Sequence, residues 1–282
     1  MTNPESLEAL CLDIAVRAGA LAASFRDGLA PGHAGSSDLE QAAKSSATDV
    51  VSAADLAAED FIVSAITTAR PDDGIVGEEG ASRPSQSGLT WVIDPVDGTT
   101  NFVFGRAEWA VSIAVIDHSS PSNPLTHPAL AGAVAMPALG EAFSAGRGRG
   151  AHLHSAGIST PLTLASSVDV ARCLVATGFS YDATHRERQA HRVAALMPHI
   201  RDIRRSGSAA IDLCHVACGR VDAYTEDALN HWDVAAGALI CLEAGAEVIS
   251  PRKDDVRPLS IMATRPGLAA PLRALIESSE HD

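Results

Sequence analysis

The chain has 282 residues, which is enough for one large domain or two domains of ordinary size. Hydrophobic residues make up 46% of it, so a sizeable core is available, and the net charge of −14 argues against a nucleic-acid backbone as the main partner. Five cysteines without a C-x-x-C pair indicate neither a disulfide framework nor a zinc ribbon.

The N-terminal part of the chain predicts one helix and one loop. Asn3 and Pro4 suit the N-cap and first turn of a helix, in which apolar residues recur every three or four positions until Gly28. Residues 30–47, rich in Gly, Ser and Ala, are typical of a long loop. Because no signal-peptide pattern opens the chain and no run approaches about 18 apolar residues, we expect a cytoplasmic protein with no membrane partner.

Two polar residues flank the next helical pattern. Lys44, before two serines, is either a phosphate contact from a lid or an ordinary surface lysine, and the pattern alone favours the surface. Residues 50–52 predict a short strand or extended turn. Asp55 follows, near the start of a helix that continues through Ile66, and the helix dipole favours a carboxylate there, so capping alone explains it.

A pair of glutamates ends a short apolar strand at residues 75–77. Adjacent glutamates are usually solvated surface charge. Here Glu78 and Glu79 follow a strand and precede a glycine, and the most informative stretch of the chain begins soon after, at Trp91. Their position at the end of a strand makes Glu78 and Glu79 candidates for a functional site.

Residues 91–101 gather oxygen donors on one tight turn. Three apolar residues predict a buried strand, which Pro95 ends because it has no N–H for a β-ladder. The donors are the carboxylates of Asp94 and Asp97, the carbonyl of Val96 and the hydroxyls of Thr99 and Thr100. Hard oxygen ligands of this kind suit Mg²⁺, although a solvated loop with local Asx and ST hydrogen bonds would show the same residues.

The second half of the chain alternates strands and helices. Strands are predicted at residues 172–177, 200–204, 221–226, 247–250 and 259–264, and helices at 184–197, 208–218, 232–244 and 266–278. Such alternation predicts an α/β layer with some parallel pairing. A Ser-Thr-Pro junction at 159–161 divides the chain into halves of 1–160 and 161–282.

Two segments of the second half carry polar residues at helix starts. Residues 205–210 place Gly207 and two serines before a helix, which suits an anion cradle and equally well a simple cap. Asp233 opens a later helix, either as a capping acid or as a third carboxylate facing the turn at Asp94.

Three of these segments together resemble the signature motifs of the inositol monophosphatase family, whose members are Mg²⁺-dependent, lithium-sensitive phosphatases. The segments are residues 77–80, 91–101 and 232–238, and residues 44–46, 54–55 and 205–210 fit the family pattern as well. The chain is most similar to bacterial inositol-1-monophosphatases. The resemblance implies a layered αβαβα sandwich of the sugar-phosphatase type, usually a homodimer, with the site between an α+β half (1–160) and an α/β half (161–282).

The resemblance also implies a centre with two or three Mg²⁺ ions. The first ion would be held by Glu78, Asp94, the Val96 carbonyl and Thr99. The second would be held by Asp94, Asp97 and Asp233. A third, weaker ion would face Glu78 through water. Such a centre suits phosphate ester hydrolysis, which needs charge neutralisation and an activated water.

The remaining implied roles concern water and substrate. Asp55 would accept a hydrogen bond from Thr99, and this pair, with Glu78 beside it, would activate the attacking water. The substrate phosphate would lie beside the N–H groups of Gly98 and Thr99. The pocket for the alcohol would be lined by Gly207, Ser208, Ala209 and Glu226, and Asp97 and Glu226 would receive its hydroxyl groups.

The implied reaction is hydrolysis of a small polyol phosphate, first myo-inositol 1-phosphate because residues 207–210 resemble the inositol phosphatase form. Alternatives within the family are histidinol phosphate, fructose 1,6-bisphosphate and adenosine 3',5'-bisphosphate. The alternative of another class is a regulatory scaffold that binds RNA or a protein. The acidic charge and the complete set of metal ligands disfavour that scaffold.

Overall fold

The computed structural model describes residues 3–27, 39–117, 128–165, 169–251 and 259–278, which form two β-sheets covered by helices. The helices are α1 (Pro4–Asp27), α2 (Leu39–Ala69), α3 (Thr99–Val103), α4 (Ala183–Leu196), α5 (Ala209–Ala217), α6 (His231–Glu243) and α7 (Ala269–Ser278). Across these residues every helix is too short or too polar to span a lipid bilayer. The combination of helices with two mixed sheets confirms the predicted fold class.

The first sheet has eight strands in the order β2-β1-β3-β4-β5-β6-β7-β8. They are β1 (Gly74–Gly77), β2 (Ser82–Arg83), β3 (Leu89–Asp97), β4 (Ala110–Asp117), β5 (Ala131–Met136), β6 (Glu141–Gly146), β7 (Ala151–Ser155) and β8 (Ile158–Leu162). Strands β1 and β3 run parallel, with Gly77 beside Ile93. Their C-terminal ends therefore deliver Glu78 and Asp94 to the same edge of the sheet.

Strand β3 is buried on both faces. Trp91 and Ile93 belong to the core that α1 and α2 complete, whereas Val92 between them belongs to the core that α5 and α6 complete. A strand covered on both sides needs a continuous apolar run rather than an alternating one. The buried strand predicted here is confirmed. The prediction that Pro95 ends it is wrong, because the strand passes the proline through a register shift between Asp94 and Asp97 and pairs again at Asp97.

The second sheet has five strands in the order β10-β9-β11-β13-β12. They are β9 (Leu174–Thr177), β10 (Asp202–Arg204), β11 (Ala223–Leu229), β12 (Glu247–Ile249) and β13 (Leu259–Thr264). Strand β9 pairs in parallel with β10 and β11, as alternating strands and helices predict. Strand β8 spans the predicted junction at residue 160, and the division into two halves stays a prediction.

The helices complete five layers. Helices α1 and α2 cover the first sheet, α5 and α6 fill the space between the sheets, and α4 and α7 cover the second sheet. Small side chains let α6 approach the first sheet closely: a Cβ at Gly132 of β5 would lie 3.0 Å from the Cα of Ala236. The order is the αβαβα sandwich that the family resemblance implies.

Helix α2 corrects three predictions about residues 39–69. The loop predicted through residue 47 and the extended turn at 50–52 both lie within this helix, and Asp55 lies in its middle rather than near its start. The segment contains neither glycine nor proline and is rich in alanine, which favours a helix more than its scattered serines and threonines disfavour it. Residues 30–38 lie outside the described residues.

Candidate active site

A cavity of about 280 Å³ opens between the end of β3 and the starts of α5 and α6. The predicted site residues in its lining are Glu78, Asp94, Val96, Asp97, Gly98, Thr99, Gly207, Ala209, Glu226 and Asp233. Asp55 and Ser208 are buried and lie outside this lining. The Lys44 side chain lies outside the described part of the chain.

The irregular end of β3 is built around Asp94, which is 1% exposed. Its Oδ1 accepts the N–H of Val96 at 3.0 Å, so the carboxylate stabilises the backbone at the register shift around Pro95. Gly98 has φ +93°, a left-handed conformation that glycine adopts without strain. Helix α3 then starts at Thr99, whose hydroxyl donates to the Val96 carbonyl at 3.1 Å.

Asn101 ties this turn to the loop before α5. Its side-chain amide donates to the carbonyls of Glu108 and Ser206, at 2.6 and 2.8 Å. A Cβ at Gly207 would lie 2.9 Å from that amide nitrogen, and Gly207 has φ +92°. The two loops therefore need both the asparagine and the glycine to pack together.

The start of α5 resolves the choice between an anion cradle and a cap at residues 205–210. Ser208 is the N-cap and accepts the N–H of Ile211 at 3.1 Å. Its hydroxyl and the N–H of Ala210 both donate to Oδ2 of Asp97, each at 2.7 Å. The helix start thus caps itself and binds an anion, and that anion is the carboxylate of Asp97. Ser208 is consequently not available in the cavity, contrary to the prediction that it lines the alcohol pocket.

Asp233 reaches the cavity from the first turn of α6. Its Oδ2 accepts the N–H of Asn230 at 2.6 Å, the reciprocal half of a capping box. The two interpretations of this residue from sequence are therefore compatible, since one carboxylate caps the helix and lines the cavity. Trp232, its neighbour, accepts the Ser112 hydroxyl at its carbonyl and so fixes α6 against β4.

The carboxylates of the cavity repel one another. Burial and then the charges of Asp97, Glu78 and Asp233 raise the pKa of Asp94 well above its usual range. Burial, with the Asp97 charge next, raises the pKa of Asp233 to about 8. Burial raises the pKa of Asp97 to about 6 even though Ser208 and Ala210 donate to it. The site therefore favours either protons or cations on these oxygens.

The donor set fits Mg²⁺ by its chemistry. Every candidate ligand is an oxygen, and among the described lining residues Arg205 is the one with a basic side chain. No three Asp, Glu, His or Cys side chains of the described residues already stand in a finished ligand arrangement. The fit consequently rests on donor type, burial and crowded charge rather than on completed coordination geometry.

The lining of the cavity also includes Glu226. Its Oε2 accepts the Tyr224 hydroxyl at 2.8 Å, and burial raises the pKa of this glutamate to about 7. The carboxyl group fits because residue 178 is a glycine: a Cβ there would overlap it. Arg205 lines the cavity too, with its guanidinium 5.8 Å from the centre of the Phe179 ring.

Comparison with known proteins identifies the family to which the chain belongs. A sequence profile described as "Inositol monophosphatase family" matches residues 9–281. The chain belongs to the inositol monophosphatase family. Inositol-1-monophosphatase SuhB of Mycobacterium tuberculosis is 40% identical over 290 residues, 98% of this chain and 97% of that protein. A Nus factor SuhB of Xylella fastidiosa is 39% identical over 240 residues, 82% of each.

A solved structure supports the same assignment. Mycobacterium tuberculosis SuhB superimposes with a TM-score of 0.82 at 35% sequence identity, covering 99% of this chain and 98% of that one. As an inositol monophosphatase family member, the chain is a metal-dependent phosphatase that hydrolyses phosphate monoesters.

One contact expected from the family resemblance differs in the structure. The Thr99 hydroxyl donates its single proton to the Val96 carbonyl, so it does not donate to Asp55. Asp55 lies on α2, 5% exposed, and its pKa is raised to about 7 by burial and then by the charges of Glu79, Glu78 and Glu59. Asp55 is therefore a buried acid near the glutamates of the 77–81 turn, whose charges favour its protonated form.

Three residues outside the cavity lining that hydrogen-bond to the loops and turns around it were not predicted from the sequence. Asn101 lies inside the motif at 91–101 but carries no charge that would draw attention to it. Asp212, 3% exposed on α5, accepts the N–H of Ser206 at 3.4 Å. Glu59 on α2 accepts two N–H groups of the glutamate turn. For Glu59 and Asp212, the signal in the sequence was an acidic residue on the buried face of a helix, where apolar residues are expected.

Proposed function

We propose that this phosphatase is Mg²⁺-dependent and that its substrate is a small polyol phosphate, myo-inositol 1-phosphate. The observation that carries this proposal is one cavity whose lining combines the crowded carboxylates of Glu78, Asp94, Asp97 and Asp233 with the carboxyl group of Glu226. Polyol hydroxyls are hydrogen-bond donors, and the carboxylates of Glu226 and Asp97 in the same cavity lining are acceptors for them. The Mycobacterium relative named inositol-1-monophosphatase supports the same substrate.

Two Mg²⁺ ions, with a third and weaker one facing Glu78 through water, fit the donors. Glu78, Asp94, the Val96 carbonyl and Thr99 would hold the first ion, and Asp94, Asp97 and Asp233 the second. When bound, these ions supply a water of lowered pKa and neutralise the charge that develops on the phosphate and the leaving oxygen. The crowded carboxylates support the binding of cations here, since a bound cation offsets their mutual repulsion.

The remaining chemistry belongs to the chain itself. The N–H groups of Gly98 and Thr99 lie at the start of α3 and would donate to the substrate phosphate. Asp55, with a pKa of about 7, would accept the proton of the attacking water through Thr99. That relay requires the Thr99 hydroxyl to turn from the Val96 carbonyl towards Asp55.

A substrate panel tests this assignment. Histidinol phosphate, fructose 1,6-bisphosphate and adenosine 3',5'-bisphosphate are the alternatives, and kcat/KM for each is compared with that for myo-inositol 1-phosphate at fixed Mg²⁺. We expect inositol 1-phosphate to be hydrolysed fastest because its hydroxyls match Glu226 and Asp97. Faster hydrolysis of histidinol phosphate would refute the substrate while leaving the phosphatase in place.

A second function is favoured by one observation, the likeness to a protein named Nus factor SuhB. A regulatory scaffold would bind RNA or a protein without using the metal ligands. Pull-down with the purified chain and with its Asp94→Asn form separates the two functions, because a scaffold captures the same partner in both forms and shows no Mg²⁺-dependent hydrolysis.

We also propose a cytoplasmic homodimer that lithium inhibits, supported by the family resemblance. Light scattering tests the assembly against the mass of one chain, 29.1 kDa. Inhibition by Li⁺ that weakens as Mg²⁺ increases would support competition for one cation site, and Mg²⁺-independent inhibition would refute it.

A further inference from the structure

Glu78 lies on a turn in which two backbone N–H groups have no hydrogen-bond partner within the turn itself. The turn follows β1 at residues 77–81, and its ends meet through the Gly77 N–H and the Ala81 carbonyl at 2.8 Å. The Glu78 N–H donates to the Ile93 carbonyl at 3.2 Å, which joins the turn to β3. These bonds leave the N–H groups of Glu79 and Ala81 to find partners elsewhere.

Glu59 on α2 supplies both partners. Its Oε2 accepts the Glu79 N–H at 3.1 Å, and its Oε1 accepts the Ala81 N–H at 2.8 Å. The side chain is 5% exposed, and its described partners are these N–H groups rather than a basic side chain. Burial of a carboxylate is unfavourable unless its oxygens are satisfied, so its place here depends on the turn.

The sequence of the turn is adapted to this carboxylate. A Cβ at residue 77 would overlap Oε2 of Glu59, and residue 77 is glycine. On α2, Glu59 lies one helical turn after Asp55, so both acids occupy the same buried face. Helix α2 thus carries both Asp55, the proposed proton acceptor, and Glu59, which binds the turn that carries Glu78.

We propose that Glu59 is a positioning residue: its buried carboxylate fixes the 77–81 turn and thereby places the Glu78 carboxylate beside Asp94 for the cation. This role rests on the Mg²⁺ binding proposed above. Glu59 itself touches neither substrate nor metal. Residues that orient metal ligands typically change metal affinity by about 10- to 100-fold when they are replaced.

Glu243 offers a matched control. It also receives two backbone N–H groups with its two carboxylate oxygens, from Gly148 and Gly150 at 2.7 and 2.8 Å. It stands at the last residue of α6, the end opposite to Asp233. Glu59→Gln and Glu243→Gln therefore remove the same kind of bond, one behind the glutamate turn and one far from it.

Three measurements test the proposal. In Glu59→Gln we expect faster hydrogen exchange at the Glu79 and Ala81 amides and Mg²⁺ affinity by calorimetry weaker by about tenfold or more. The Mg²⁺ concentration for half-maximal activity should rise equally, with KM for inositol 1-phosphate at saturating Mg²⁺ unchanged. Glu243→Gln should show wild-type exchange at these two amides, wild-type affinity and wild-type activation.

The design keeps every outcome decisive. If Glu59→Gln does not fold, Glu59→Asp keeps the charge but withdraws the carboxylate by one methylene, and an intermediate loss of Mg²⁺ affinity is expected. Rapid exchange of the Glu79 and Ala81 amides in the wild-type chain would overturn the proposal, as would wild-type Mg²⁺ affinity in a folded variant. Absence of Mg²⁺-dependent hydrolysis in the wild type would instead refute the proposed function, because exchange and calorimetry do not depend on turnover.

Discussion

Asp97 and Ser208 lie 111 positions apart in the sequence and share a hydrogen bond of 2.7 Å. One partner ends β3 in the first sheet, and the other caps α5 between the sheets. The bond makes the same serine responsible for the helix start and for the orientation of a proposed metal ligand.

Replacement of Ser208 by alanine should affect both stability and pH dependence. We expect a loss of about 1 kcal/mol of unfolding free energy from the missing cap. The Asp97 pKa should rise above about 6, because the serine hydrogen bond lowers it. The acid limb of kcat/KM at limiting Mg²⁺ should therefore move to higher pH. Ser208→Thr keeps the hydroxyl and serves as control, and an unmoved limb in the alanine variant would contradict the assignment.

Asp94→Asn should separate stability from activity. The asparagine can still accept the Val96 N–H, so the turn should persist. Removal of a carboxyl group whose ionisation is opposed by burial and by three nearby acids should raise the unfolding free energy in chelator. Activity should fall by about a thousandfold or more, because a shared metal ligand is lost. A variant with near-normal kcat would refute the metal assignment, and thermal unfolding with and without Mg²⁺ checks the rest.

Gly178→Ala should act on substrate binding through Glu226. The added Cβ overlaps the carboxyl group, which must move from the cavity wall. We expect KM for inositol 1-phosphate to rise by about tenfold, the loss of a hydrogen bond to a charged group, with a smaller change in kcat. p-Nitrophenyl phosphate has no polyol hydroxyls and should be hydrolysed at nearly the wild-type rate. Equal losses on both substrates would place the effect on the metal centre instead.

Asp212 should make stability fall as pH rises. Burial, with the charges of Glu226 and Asp97, raises its pKa from 3.8 to about 8. Between these values the folded chain holds a proton that the unfolded chain has released, so the stabilising contribution is full at low pH and is lost as pH rises through about 8. Urea unfolding in chelator should show wild type losing up to about 1.4 kcal/mol per pH unit relative to Asp212→Asn. Parallel stability curves for the two proteins would contradict this.

The sequence predicted best what short segments determine. The apolar run at 91–93 was sufficient to predict a buried strand, whereas the proline at 95 marks a register shift in that strand and not its end. Asp233 was recognisable as a helix-opening acid because capping is a local interaction. These features depend on neighbours within a few residues, which is the range that a sequence pattern reports.

Features formed by distant segments were harder to predict. The composition of residues 30–47 predicts a loop and that of 50–52 a short strand or extended turn, although residues 39–52 form the first part of α2. Asp55 was consequently placed at a helix start. No role was predicted for Glu59 because its hydrogen-bond partners belong to a turn about 20 residues later in the sequence. The glycine at position 77, which leaves room for the Glu59 carboxylate, was the trace of this contact in the sequence. Ser208 was assigned to substrate because nothing local shows that Asp97 already occupies its hydroxyl.

The close approach of α6 to β5 predicts how the enzyme loses activity on heating. Helix α6 brings Asp233 to the cavity, and its small side chains belong to a hydrophobic core shared with both sheets. Segments from both halves of the chain must therefore pack together before Asp233 and the carboxylates at the end of β3 can line the same cavity. Catalytic competence and cooperative folding become one event, so heat inactivation of this phosphatase should coincide with global unfolding rather than precede it.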